Sequence, residues 1–195
     1  MDYEKLEALR EALKTNADFT SRREDDLVGD YRLHRFLQAR NNDIEKAKIM
    51  VEDHLVWRKE HELERLRAHV IDKPFLVSSF PHYDELKKAN MGMIHVIVNG
   101  GRSRMGDVVH VESIGGTAHV EVPPGQAETF SKFLFEHYFG FFERRSIYLE
   151  SLSASEKKFI RCLQIRDVSQ LSLMPHGGVF SVIRKILKSG LGKSN

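Results

Sequence analysis

RLHRFLQARNND, residues 32–43, decides how the first part of the chain folds. At about 100° per residue it places Leu33, Phe36 and Leu37 on one helical face, and Arg40 falls in the same stripe. Arg32, Arg35 and Gln38 point away from that face, toward solvent. A buried guanidinium without a partner is expensive, so a cation aimed inward needs a carboxylate, a phosphate or several carbonyls. Two readings of Arg40 are open. The helix ends at Ala39 and Arg40 caps its carbonyl end, favoured by the helix dipole; or Arg40 reaches an acidic or phosphate group that its planar fork grips bidentately.

The flanking segments are helical as well. Leu6, Leu9 and Leu13 form one stripe, followed by the polar break TNADFTSRREDD (15–26). A second helix is expected from about Asp26 to Arg40, stopped by Asn41-Asn42-Asp43. Asn42 stands three residues before Glu45, the spacing of a capping box. Ile44, Ala47, Val51 and Leu55 then make the buried face of the next helix, with Trp57 beside its end. Up to Pro74 the chain reads as a helical unit with short connections.

Beyond Pro74 the pattern alternates. MIHVIVN (93–99) and DVVHVESI (107–114) read as strands joined by the turn-rich GGRSRMG (100–106). VPPGQ (122–126) is a break before a helix from Ala127 to Leu152. FIRCLQIRDV (159–168) reads as a strand, Gly177-Gly178 as a turn, and Val179 to Lys188 as a basic-tipped amphipathic helix. Strands alternating with long helices indicate an α/β layered domain. The strands are few for such a sheet, where about five or six is usual.

The long helix is apolar on two sides. Phe130, Phe133, Leu134, Phe141 and Tyr148 line one face with His137 among them, and Phe135, Phe139 and Phe142 cover the other. Such a helix is buried between two layers, or faces a sheet on one side and an apolar ligand on the other. His137 is read as a hydrogen-bonded core histidine. Leu134, Tyr138 and Phe142, four residues apart, are read as pocket or sheet contacts.

Composition limits the function classes. Of 195 residues, 41% are hydrophobic and 30% charged, ordinary for a globular domain. Thirty basic against 28 acidic residues leave a net charge of +2, no electrostatic case for nucleic acid. Cys162 stands alone and cannot form an internal disulfide, as expected in a reducing compartment. MDYEKLEALREALK (1–14) lacks the basic-then-apolar order of a secretory signal. No run approaches the roughly 20 apolar residues of a membrane span. The expected location is the cytoplasm, transiently at membranes.

Several chemistries fail on their own motifs. LGKS (191–194) lacks the first glycine of a phosphate loop, where Leu187 stands. His61-Glu62 has Arg65 where a metalloprotease helix needs its second histidine. The ten histidines show no ligand spacing. Cys162, in an apolar strand, is read as a core residue. No nucleophile, base and acid form a set, so no enzyme activity is expected.

DDLVGDYRLHRFLQARNNDIEKAKIMVEDHLVWRKEH (25–61) resembles the N-terminal signature of the CRAL-TRIO family. The matching features are Asp25-Asp26, Arg35-Phe36-Leu37, Ala39-Arg40, Asp43 and Trp57-Arg58. GDVVHVESIG (106–115), RCLQIRDVSQLSL (161–173) and Phe80-Pro81-His82-Tyr83 are similar to later family segments. The resemblance implies a helical cap (1–74) on an α/β/α domain (75–195) with an apolar pocket for one lipid-like molecule. It implies binding and transfer of a phosphatidylinositol-like phospholipid, with no cofactor besides that ligand. The expected partners are the phospholipid and, transiently, a membrane surface; the chain acts as a monomer and takes no nucleic acid. In the phosphatidylinositol-transferring branch the last arginine of the R-F-L-x-A-R motif, here Arg40, belongs to the network around the inositol phosphate. With it, Tyr83, Leu134, Tyr138 and Phe142 make up the expected lipid-binding residues.

The departures shape the alternative. No counterpart of the family's tyrosine-proline-glutamate segment, later strands or lipid gate follows Val179–Lys188, so the resemblance implies a C-terminally truncated domain. His110 takes the place of the usual strand tyrosine, and Asp107-Val108 that of arginine and proline. The alternative expectation is a membrane-associated protein-interaction module built on a reduced fold of this type.

Overall fold

The computed structural model of the chain describes residues 1–88, 95–97, 101–113 and 125–167. The described residues form two compact units: Met1–Ile71 with Glu143–Arg161, and those within 72–142 together with 162–167.

In the first unit, three amphipathic helices bury their leucine and valine stripes against one another. These are α1 (Tyr3–Leu13), α4 (Asp30–Ala39) and α5 (Ile44–Glu60). Leu6, Leu9, Leu13, Leu33, Phe36, Leu37, Ala47, Val51 and Leu55 make one core, as their spacing predicts. Each such leucine contributes roughly 1.5–3 kcal/mol by leaving water. The polar break after α1 holds a short helix, α2 (Ala17–Thr20), capped by Asn16, and Phe19 completes the core.

The expected helix from Asp26 to Arg40 is broken at Gly29 into α3 (Asp25–Val28) and α4. The cap of α5 also differs from expectation. Asn41 and Asn42 lie at φ 53° and 61°, in the left-handed region, so Asn42 cannot hold the extended conformation of an N-cap. Asp43 takes that role at φ −82°, its carboxylate accepting from the Lys46 amide at 3.0 Å. The helix α6 (Leu63–Val70) follows after Glu62, itself left-handed at φ 51°.

The second unit carries the sheet. A 3-10 turn (Val77–Ser79) and α7 (Tyr83–Lys88) precede β1 (His95–Ile97) and β2 (Val108–Ser113), which pair antiparallel. In the connection before β2 the Ser103 amide donates to the Asp107 carbonyl at 2.8 Å, and Gly106 supplies φ 85°. After the 29-residue helix α8 (Ala127–Ser155), β3 (Cys162–Asp167) pairs parallel to β2, giving the order β1-β2-β3. A strand, a long helix and a parallel neighbouring strand form a βαβ unit. The described residues are thus α/β, with a three-stranded mixed sheet.

Alternation along the strands sorts their side chains. Val108, His110 and Glu112 are buried, and Val109 and Val111 are half-buried on the other face. Across the register, Cys162, Gln164 and Arg166 share the inner face, and Leu163 and Ile165 share the outer one. Cys162 is half-buried, less enclosed than a core residue. The turn at Gly177-Gly178 and the helix expected over Val179–Lys188 lie outside the described residues. No helix among the described residues is long and apolar enough to cross a membrane.

Candidate functional site

In the sheet unit, the first half of α8 supplies the apolar wall anticipated from its periodicity. Phe130, Leu134, Phe139 and Phe141 are buried. Phe141 meets Phe75 and Phe80 at centroid distances of 5.7 and 5.6 Å, and the fully buried His110 of β2 at 5.8 Å. His137 is buried and its Nδ1 lies 2.8 Å from the Pro81 carbonyl, the bonding of a core histidine. Burial holds its pKa below the usual imidazole value. Beside it, His82 stacks on Phe133 at 4.1 Å and its Nε2 meets the buried Glu136 carboxylate at 2.6 Å.

Of the expected lipid-binding residues, Leu134, Tyr138 and Phe142 lie on one stripe of α8. Leu134 is buried, and the rings of Tyr138 and Phe142 stand 6.2 Å apart. Tyr83 is half-buried at the start of α7, with the Lys87 ammonium 5.8 Å from its ring centre. Arg40 belongs to the helical unit. It follows the last residue of α4, half-buried, and its Nη1 donates to the Ala39 carbonyl at 3.1 Å.

A polar cluster escaped the sequence reading. Glu112, buried on the inner face of β2, accepts the Tyr138 hydroxyl on Oε1 at 3.2 Å. Its Oε2 accepts Gln164 Nε2 at 2.6 Å and Arg166 Nε at 3.1 Å, both from β3. Burial, with the Glu112 charge beside it, pushes the Tyr138 phenol well above its ordinary pKa, so it remains a proton donor. The available signal was the run of polar residues alternating with apolar ones in the two strands: His110 and Glu112 around Val111 on β2, Gln164 and Arg166 around Ile165 on β3.

In the helical unit, the inward cations are not the one the stripe suggested. Arg35, expected at the solvent side, donates to the buried Glu150 at 3.1 Å and to the Ile160 carbonyl at 2.8 Å, stacked over Phe159. Arg32, also expected outside, meets Ser146 at 3.3 Å and His54 at 3.1 Å. Arg58 binds Glu143 and Glu64, and Arg67 binds Asp26 through both Nη atoms. Carboxylate partners make Arg35, Arg58 and Arg67 structural, and Ser146 and His54 hold Arg32. Among the described residues no group of acidic, histidine or cysteine side chains could hold a metal ion.

Over 80 residues the chain is 38% identical to the SEC14 cytosolic factor of Eremothecium gossypii. The match covers 40% of this chain and 24% of that protein, so the chain spans about a quarter of its relative's length. That relative is a member of the CRAL-TRIO family, which the segment 25–61 resembles. No protein-family model and no solved structure matches the chain.

Proposed function

We propose that the chain is a non-catalytic lipid-binding and transfer protein that shields a phosphatidylinositol-like phospholipid in an apolar pocket. The observation that carries this reading is the 38% identity over 80 residues to the SEC14 cytosolic factor, in a chain whose residues 25–61 resemble the family's helical signature. The aromatic face of α8 supports it: a helix lined with phenylalanine on two sides suits acyl chains. Burying such chains at about 0.8 kcal/mol per methylene supplies ample driving force. Leu134, Tyr138, Phe142 and Tyr83 are the proposed lipid contacts, and Arg40 is proposed to meet the headgroup phosphate. The protein works from the cytoplasm, visits membrane surfaces transiently, and acts as a monomer in an α/β/α domain of the CRAL-TRIO type.

Native mass spectrometry of the chain purified from cells, followed by lipid extraction, tests the proposal. One phospholipid per chain is expected, and a folded chain free of lipid would sink it. A second reading, a protein-interaction module, is favoured by the outer face of the sheet, where Leu163 and Ile165 are 49% and 48% exposed. It predicts the lipid-free outcome together with a bound protein partner.

A further inference from the structure

Arg166 differs from the other arginines that meet buried carboxylates. Arg58 commits Nε, Nη1 and Nη2 to two glutamates, and Arg67 commits both Nη atoms to Asp26. Arg166 commits only Nε, to Glu112 at 3.1 Å, and its side chain is 46% exposed. Among the described residues its two Nη groups carry no hydrogen bond, so the double-donor edge of the fork is left uncommitted on a half-exposed side chain. Glu112, 5% exposed, accepts from Tyr138, Gln164 and Arg166, so the carboxylate that tethers the Arg166 Nε is itself held by two further donors. A cation held in advance loses less freedom on binding an anion than a mobile surface side chain does.

The position in the sheet points the same way. Glu112 and Arg166 are direct register partners near the carboxyl ends of the two parallel strands β2 and β3. In open α/β sheets, ligands bind outside the carboxyl ends of parallel strands.

We propose that Arg166, tethered by Glu112, recognises a phosphate ester at the carboxyl end of the β2–β3 pair. On the lipid-transfer reading, on which this rests, it makes the chain selective for anionic over zwitterionic phospholipid. Either a lipid headgroup or a soluble phosphate ester carries the chemistry that this edge fits.

The test offers the full-length chain mixed vesicles of phosphatidylcholine and phosphatidylinositol and counts the headgroups recovered with the re-isolated protein. Binding of inositol 1-phosphate is measured in parallel by calorimetry. Arg166→Gln is expected to lower phosphatidylinositol relative to phosphatidylcholine about tenfold, the loss of one bidentate contact, with Arg166→Lys in between. Should Arg166→Gln fail to fold, the double variant Glu112→Gln/Arg166→Gln removes the charge pair together and should show the same loss. Arg166-dependent binding of inositol 1-phosphate without lipid uptake would keep this inference, with a soluble ester as the ligand, and overturn lipid transfer. Unchanged headgroup selectivity and unchanged inositol 1-phosphate binding in folded variants would overturn the role of Arg166 while leaving lipid transfer standing.

Discussion

Arg58 and Glu143 stand 85 positions apart in sequence and meet fork to carboxylate inside the helical unit, Nη1 to Oε1 at 2.7 Å and Nη2 to Oε2 at 2.8 Å. The guanidinium is 1% exposed, and its Nε is taken by Glu64 at 3.0 Å. Burial works against its charge, and the Glu143 bonds outweigh that and raise its pKa. Removing one partner leaves a buried charge unpaired. Arg58→Met should therefore cost about 3–5 kcal/mol of unfolding free energy, read by chemical denaturation. Arg58→Met with Glu143→Leu removes the orphan as well and should recover much of the loss.

Glu150 and His54 pull the pH dependence of stability in opposite directions. Burial raises the Glu150 carboxyl to about 7 against an ordinary 4.5, and Arg35 only partly offsets this. The folded state then holds the proton more tightly, so this contribution is full below pH 4.5 and is lost as pH rises through 7. Glu150 should cost on the order of 2 kcal/mol between pH 5 and 8. In Glu150→Gln that loss disappears, so melting curves at pH 5 and 8 should show the variant gaining on the wild type at the higher pH.

His54 is depressed from 6.5 to about 2, by burial first and by Arg32 second. Its contribution is present above pH 6.5 and lost as pH falls below it, again on the order of 2 kcal/mol between pH 8 and 5. His54→Gln keeps an acceptor for Arg32 and should expose the Glu150 slope, with stability falling as pH rises. An unchanged profile in both variants would refute the assignment of these two groups.

Asp43→Ala should lower the melting temperature of the helical unit, since the Lys46 amide loses its acceptor at the start of α5. Asn42→Ala, with no cap to lose, should cost through its left-handed backbone instead, and Asn42→Gly should be nearly neutral. Thermal unfolding of the three variants separates the two mechanisms.

Arg40→Ala should leave stability within about 0.5 kcal/mol, because the side chain's bond is to the Ala39 carbonyl at a helix end. Phosphatidylinositol binding should fall in the same folded variant. Unchanged binding would reduce Arg40 to a cap.

The sequence carried the helical core because local periodicity carries it: Leu6, Leu9, Leu13, Ala47, Val51 and Leu55 are buried as their spacing requires. The strands and α8 were legible for the same reason. What local pattern could not supply were partners far along the chain. Arg35 looked solvent-facing because Glu150, 115 positions away, is what draws it in. The Glu112 cluster depends equally on Tyr138, Gln164 and Arg166, which no window around Glu112 contains. The break at Gly29 and the cap at Asp43 turn on backbone angles of single residues, below the resolution of a hydrophobic period.

Transfer of labelled phosphatidylinositol from donor to acceptor vesicles by the purified full chain tests the central claim most directly. The proposed function predicts label arriving in the acceptor vesicles at a rate proportional to protein concentration, with labelled lipid bound to the chain in between. A folded chain that neither binds nor moves the label would contradict it.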